Sequence, residues 1–206
     1  RITSSWKPVV IQKGPRGVLR QQIAQPVKMM EYFGVKSRHQ LTPQQIAKAS
    51  NAKHPIPAGT FVLDMGQNLA GFPQIKVSGK AGQQVRLYLS ETLTAQGTCN
   101  QKQSGSPYYL NYTLSGKGEK ASDGKRIETW HPHFTYYGYR YIQVEGAVMK
   151  GDENPDGKPV IEDIQSCSFI ILQRRLVVSK CSNPMFNRAY QIIDRAIRSN
   201  WTGSMD

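Results

Sequence analysis

No run of eighteen apolar residues occurs anywhere in the chain, so no segment reads as a membrane-spanning helix. The opening residues Arg1-Ile2-Thr3-Ser4-Ser5-Trp6 lack the apolar centre of a signal peptide, and we read the start as a cut or a processed end. Cysteine is scarce. Cys99, Cys167 and Cys181 are the whole complement, with no CxxC pair, which excludes a zinc knuckle and argues against a disulfide framework. Cys167 and Cys181 can pair only if the fold brings them together. The motifs of common catalytic sites are missing too: no GxSxG, no HExxH and no phosphate-cradling glycine loop. No cofactor and no metal are expected.

What is present suits a turn-rich β-protein. Of the 206 residues, 18 are glycine and 12 proline, with 38% hydrophobic and 9% aromatic. The net charge of +13 is unevenly spread: residues 1–56 carry ten Lys/Arg against the single acid Glu31, and the remainder carry 17 against 13. The basic residues stand singly between apolar and polar neighbours, which describes a solvated surface rather than a polyanion-binding stripe. Neither nucleic acid nor membrane is expected as a partner. The sequons at Asn111 and Asn200 are short enough to arise by chance.

Apolar pulses at Val9-Val10-Ile11, Val18-Leu19 and Val27–Met30 are of strand length and predict two or three short strands. Thr42-Pro43 predicts a cap and first residue of a short helix through Ala49, and His54-Pro55-Ile56-Pro57 an extended link. Strands are then predicted at Thr60–Asp64, Phe72–Ser78, Gln84–Glu91, Tyr108–Ser115, Arg126–Trp130 and Phe134–Glu145. The first two are joined by a corner over Gly66–Gly71, and Lys117–Lys125 reads as a charged hairpin tip. In Gln84–Glu91, Val85, Leu87 and Leu89 share one face. About six strands with no intervening helix predict a mainly β fold, an antiparallel β-sandwich. Lys150–Pro159 is an exposed link, and Ile164–Val178 adds one or two strands. Ser182-Asn183-Pro184 then opens an amphipathic helix whose stripe is Phe186, Tyr190, Ile193, Ile197 and Trp201. Nothing in the chain is an evident partner for that stripe.

Few residues offer chemistry. Glu91 falls by parity on an aliphatic face, where a carboxylate must lie at the strand's wet end or find donors, and is then either satisfied structurally or in contact with a ligand. His131 and His133 share a face and lack a third metal ligand. Trp130, Tyr136, Tyr137, Tyr139 and Tyr141 can stack on sugar rings, although alternation places at least half of them in the core. Gln67 and Asn68, on the corner, read as partners of the turn backbone. The polar stretch Thr94–Pro107 is a long loop, of the kind that is often functional or mobile.

Two stretches in order, Asp64-Met65-Gly66-Gln67-Asn68-Leu69-Ala70-Gly71 and Trp130-His131-Pro132-His133-Phe134-Thr135-Tyr136-Tyr137-Gly138-Tyr139-Arg140-Tyr141, resemble the β-domain that precedes the catalytic barrel of bacterial α-L-rhamnosidases, glycoside hydrolase family 78. Leu89-Ser90-Glu91-Thr92-Leu93 and Asn111-Tyr112-Thr113-Leu114 fit the same pattern. The resemblance implies a concanavalin-like (jelly-roll) sandwich at 58–148 with a C-terminal amphipathic helix. Residues 1–35 would be terminal strands of a preceding sandwich, 36–57 a linker, 149–181 linker strands, and 182–206 the first helix of an (α/α)6 barrel.

The activity implied for the parent enzyme is hydrolysis of terminal α-L-rhamnose with inversion by two glutamates beyond this chain. The fragment is then an inactive scaffold with no catalytic residue of its own. Its partners are the missing catalytic domain and, through the parent, a rhamnose-containing carbohydrate. Asp206 resembles the first residue of a sugar-contacting Asp-Cys-Pro motif. The resemblance also implies a bacterial source and leaves a periplasmic or secreted location open. The competing reading is a stand-alone carbohydrate-binding module for rhamnose-containing glycans, using the aromatic strand or the 94–107 loop.

Overall fold

The computed structural model describes residues 7–14, 16–21, 27–51, 54–102, 108–171 and 179–200. Ten strands form one curled sheet: β1 (Val27–Gly34), β2 (Ser37–Gln40), β3 (Phe61–Ser78), β4 (Gln84–Ser90), β5 (Leu110–Thr113), β6 (Glu119–Lys120), β7 (Arg126–Trp130), β8 (Tyr137–Glu145), β9 (Val148–Met149) and β10 (Val160–Ile171). Helix α1 (Pro43–Ala49) follows β2, and α2 (Pro184–Asn200) follows β10. The main path runs β1-β10-β3-β8-β4-β5, antiparallel throughout, with one short parallel pair between β9 and β10.

The organising strand is β3. Two strands and a corner are predicted for this stretch, yet the chain stays extended for 18 residues and changes partners along its length. Phe61–Asp64 lies between β2 and β8, whereas Ile75–Ser78 lies between β10 and β7. The predicted corner survives as a bulge: between the pairs Asp64–Tyr141 and Leu69–Tyr139, four residues of β3 stand against one of β8, Arg140. Bulges of this kind bend and twist a strand while the ladder continues on either side. One strand thereby belongs to both leaves of the expected sandwich.

Packing follows the predicted alternation. Val85, Leu87 and Leu89 of β4 are buried together with Phe61, Leu63, Ile75, Val77, Ile142, Val144 and Ile161. Tyr139 is fully enclosed, and its hydroxyl donates to Ser166 Oγ at 2.8 Å. Gly71 permits the close approach of β3 to β10: a Cβ there would lie 1.9 Å from the Cys167 carbonyl oxygen.

The two strands expected before residue 20 are revised. Val9, Val10, Ile11, Val18 and Leu19 lie exposed without regular structure, since an apolar pulse becomes a strand only where a ladder partner is available. Of the segment 1–35, β1 pairs with β10; the assigned linker 36–57 contributes β2 and α1; and the linker strands 149–181 contribute β9 and β10. Backbone pairing joins the strands among these, β1, β2, β9 and β10, to strands of one sheet. Thr42 caps α1 as expected, accepting from the Gln45 amide at 3.2 Å while the Gln45 side chain accepts from the Thr42 amide at 2.9 Å. The three cysteines are free thiols, with Cys167 buried and Cys181 exposed. Leu172–Val178, Trp201 and Asp206 lie outside the described residues.

Candidate functional site

The site begins at the β3 bulge. Gly66 adopts φ 76°, which side-chain-bearing residues seldom tolerate, and its amide donates to Asp64 Oδ1 at 2.7 Å. Arg140 of β8 closes the base of the bulge by a two-pronged contact, Nε and Nη2 to the two Asp64 oxygens, each at 2.8 Å. The guanidinium is the main reason that the Asp64 carboxyl is held below the ordinary carboxylate range; partial burial opposes it and the Gly66 amide assists. Thus the two stretches that carry the family resemblance are joined side chain to side chain.

Above that fork the bulge presents Gln67 and Asn68. Gln67 does what the sequence suggests, donating to the carbonyl of Asn68 at 2.9 Å. Asn68 does not: its amide reaches across to Glu91 Oε1 at 2.9 Å. Glu91 sits just beyond β4, which ends at Ser90, so the carboxylate lies exposed at the strand's wet end with Asn68 as its donor. Gly138 keeps room for it, since a Cβ there would stand 3.3 Å from Glu91 Oε1.

These groups form the floor of a groove of about 1090 Å³ between the sheet and α2, with Tyr136 among its lining residues. The helix begins with Asn183 Oδ1 accepting the Met185 amide at 2.9 Å. Its charged side meets β1. Arg195 Nη1 lies 2.6 Å from Glu31 Oε2, Arg198 Nη1 lies 3.5 Å from Glu31 Oε1, and Arg198 Nε pairs with Asp194 at 3.0 Å. Arg195 also rests over the Phe33 ring, 5.1 Å from its centroid. Of the stripe residues, Phe186, Ile193 and Ile197 are exposed, whereas Tyr190 is half-buried and lines the groove. Glu31, Arg195 and Arg198 were not singled out from sequence; the available signal was the three-residue spacing of the arginines on the polar side of the helix.

The other candidates resolve into structure. His131 stacks on Phe72 at 4.8 Å and neighbours His133 at 4.7 Å, and among the described residues no group of three or more His, Cys, Asp or Glu side chains could hold a metal. Tyr108 stacks on Tyr137, and Tyr112 on Trp130.

Two buried acids were missed, and both do structural work. Glu128 accepts from the Tyr112 hydroxyl, from the amide and hydroxyl of Ser115 and from the Gly116 amide. Burial pushes its pKa up, but these donors win and leave it lowered. Glu145, 4% exposed, accepts from Gln143 Nε2 at 2.9 Å, and its pKa is raised by burial against the opposing pull of Gln143, Arg86 and His54. It shares the face of β8 that carries Gln143, opposite to the core residues Ile142 and Val144, and it does not line the groove.

Residues 54–167 match the family described as the bacterial α-L-rhamnosidase concanavalin-like domain. The chain belongs to that family. An α-L-rhamnosidase of Streptomyces avermitilis is 42% identical over 108 residues, covering 50% of this chain and 10% of that protein. One from Formosa agariphila is 26% identical over 194 residues, covering 91% of this chain and 16% of that protein. The crystal structure of Streptomyces avermitilis α-L-rhamnosidase complexed with L-rhamnose superposes with a TM-score of 0.64 at 26% identity, over 87% of this chain and 14% of that one. The chain therefore spans between a tenth and a fifth of the length of these relatives. Within the concanavalin-like domain, the matched span takes in the bulge, Glu91 and β8, and closes at Cys167 in β10; Glu31 and α2 lie outside it.

Proposed function

We propose that this chain is the non-catalytic β-sandwich of an α-L-rhamnosidase, a glycoside hydrolase that removes terminal α-L-rhamnose with inversion. The two glutamates that perform the reaction lie in a barrel whose first helix is α2, and residues 182–206 lead into it. The carrying observation is α2 itself: ion pairs hold its charged side to β1 while Phe186, Ile193 and Ile197 stand exposed, in a chain covering a small part of its relatives.

The acids present favour a scaffold. Inversion needs a protonated acid and a separate base flanking a sugar and a water, roughly 6.5–9.5 Å apart. The acid with the raised pKa, Glu145, is buried away from the groove, and the groove's Glu31 is paired with two arginines. In this reading Asp206 is the first residue of the sugar-contacting motif of the barrel.

Incubating the 206-residue chain with 4-nitrophenyl α-L-rhamnoside tests the reading. No 4-nitrophenol release above buffer is expected, and saturable release would overturn it. Sequencing the coding region past Asp206 is the second check, with an immediate Cys-Pro expected and a stop codon decisive against a truncated barrel.

A further inference from the structure

We propose that helix α1, the adjoining link at His54 and the loop 92–101 form a cover over the outer face of the sheet, with Glu145 as its trigger. The cover closes on the neutral acid and loosens when the acid loses its proton.

The covered face lies opposite the core. Cross-strand pairing lines up His39, Val62, Gln143 and Tyr88 in one row, from β2 through β3 and β8 to β4. Directly paired residues share a face, as do residues two apart on one strand, so Glu145 and its partner Arg86 stand in the next row. The loop comes down on this face at Cys99. Its amide donates to Gln143 Oε1 at 3.0 Å, and its thiol donates to the Tyr88 carbonyl at 3.5 Å. The loop tip reaches α1 and β2: a Cβ on Gly97 would stand 3.3 Å from Gln45 Nε2 and 3.5 Å from the His39 ring. The link contributes His54, which faces Glu145. On what is otherwise the outside of the sheet, Gln143 and Glu145 are thereby each only 4% exposed.

The chemistry beneath the cover is unbalanced. Gln143 gives its amide nitrogen to Glu145 Oε1 at 2.9 Å and its oxygen to Cys99. The charged and titratable groups that face Glu145 are Arg86 and Tyr88 of β4, Cys99 of the loop and His54 of the link. Among the described residues none makes an ion pair with it. Arg86 lies instead over the Tyr109 ring, 4.4 Å from its centroid. A carboxylate buried with a neutral amide donor and no ion pair is costly, and lifting the cover would admit water to it.

The sign follows from linkage. Burial raises the Glu145 pKa in the closed state, and exposure returns it toward the ordinary 4.5. The ionised acid therefore favours the lifted cover and the neutral acid the closed one. Closure is at full strength below pH 4.5, weakens as pH rises to the folded value and loses nothing further above it. The opposite sign would hold if the charge on Glu145 were what fixed Gln143 and, through it, Cys99. The loop leaves the sheet directly after Glu91, so the segment that loosens adjoins the groove floor.

Amide hydrogen exchange of the 206-residue chain between about pH 4 and pH 8, corrected for intrinsic rates, tests this. Cys99 and Asn100 should exchange through an opening more frequent than that of Ile142, with an opening constant that rises at least about threefold from the acid to the neutral limit. Glu145→Gln stays neutral at every pH and still accepts from Gln143, so it should hold the constant at its acid value throughout. His54→Gln, at an exposed position, removes a group that favours the charge and should move the midpoint to higher pH; it decides the matter if Glu145→Gln fails to fold. Protection at Cys99 that increases with pH overturns the proposal. So does a pH dependence that survives Glu145→Gln, or a Cys99 amide that opens only together with Ile142.

Discussion

The sheet and helix α2 solve the same problem in opposite ways. Along β3, β4 and β8 the apolar side chains are enclosed by their own chain, and the buried acids among them are hydrogen-bonded. Along α2 Phe186, Ile193 and Ile197 are exposed, and the contacts that hold the helix include ion pairs to Glu31 and a guanidinium over Phe33. Burial of an aliphatic side chain is worth about 1.5–3 kcal/mol, whereas a surface ion pair contributes about 0–1 kcal/mol. The sheet is therefore self-sufficient and the helix is lightly held.

The largest expected effect lies on the sheet side. Leu87→Ala should cost about 2–5 kcal/mol in urea unfolding, while Ile193→Ala on α2 should change stability by less than about 0.5 kcal/mol. Equal losses would break the contrast. Gly71→Ala comes next: its methyl would be driven into the Cys167 carbonyl at 1.9 Å, forcing β3 and β10 apart at a cost of about 1–3 kcal/mol or more.

The two buried acids sharpen the picture through opposite signs. Glu128 has a lowered pKa, so its stabilisation is present above its ordinary value of 4.5 and lost as pH falls through the lower folded value. Glu128→Gln turns an amide toward the Ser115 and Gly116 donors and should cost about 1–3 kcal/mol at pH 7, fading in acid. Glu145 has a raised pKa, so its ionisation is a burden that sets in as pH rises above 4.5 and is complete above the folded value. Glu145→Gln should accordingly raise the urea midpoint at pH 7 and leave it unchanged at pH 3.

Smaller again is Asp64→Asn. The Arg140 side chain is 40% exposed, so loss of the fork should cost only about 1 kcal/mol. Because Asp64's pKa is lowered, that difference should be present above about pH 4 and vanish below it as the wild-type carboxylate takes up its proton.

Local pattern made part of this legible. The alternation of Val85, Leu87 and Leu89, the Thr42-Pro43 helix start and the limits of β7 all follow from neighbours in sequence. Pairing across distance does not. Gly66, Asn68 and Gly71 resemble turn residues, so the continuity of β3 through the bulge was hidden; it depends on β8 resuming its register at Leu69. Arg140 could be placed on a strand, but its contact with Asp64, 76 positions away, belongs to the fold. Glu91 could be placed at the wet end of a strand or beside a donor, but which donor reaches it, Asn68, depends on the bulge 23 positions away.

The most direct test of the account is amide hydrogen exchange at neutral pH, comparing α2 with β3, β4 and β8 in the wild type and in Glu31→Ala. The account predicts α2 amides exchanging through a local opening far cheaper than global unfolding, cheaper still in the variant, while the sheet amides exchange only with the whole domain in both. Protection of Ile192–Ile197 equal to that of Leu87 and Ile142, and unaffected by loss of Glu31, would contradict it.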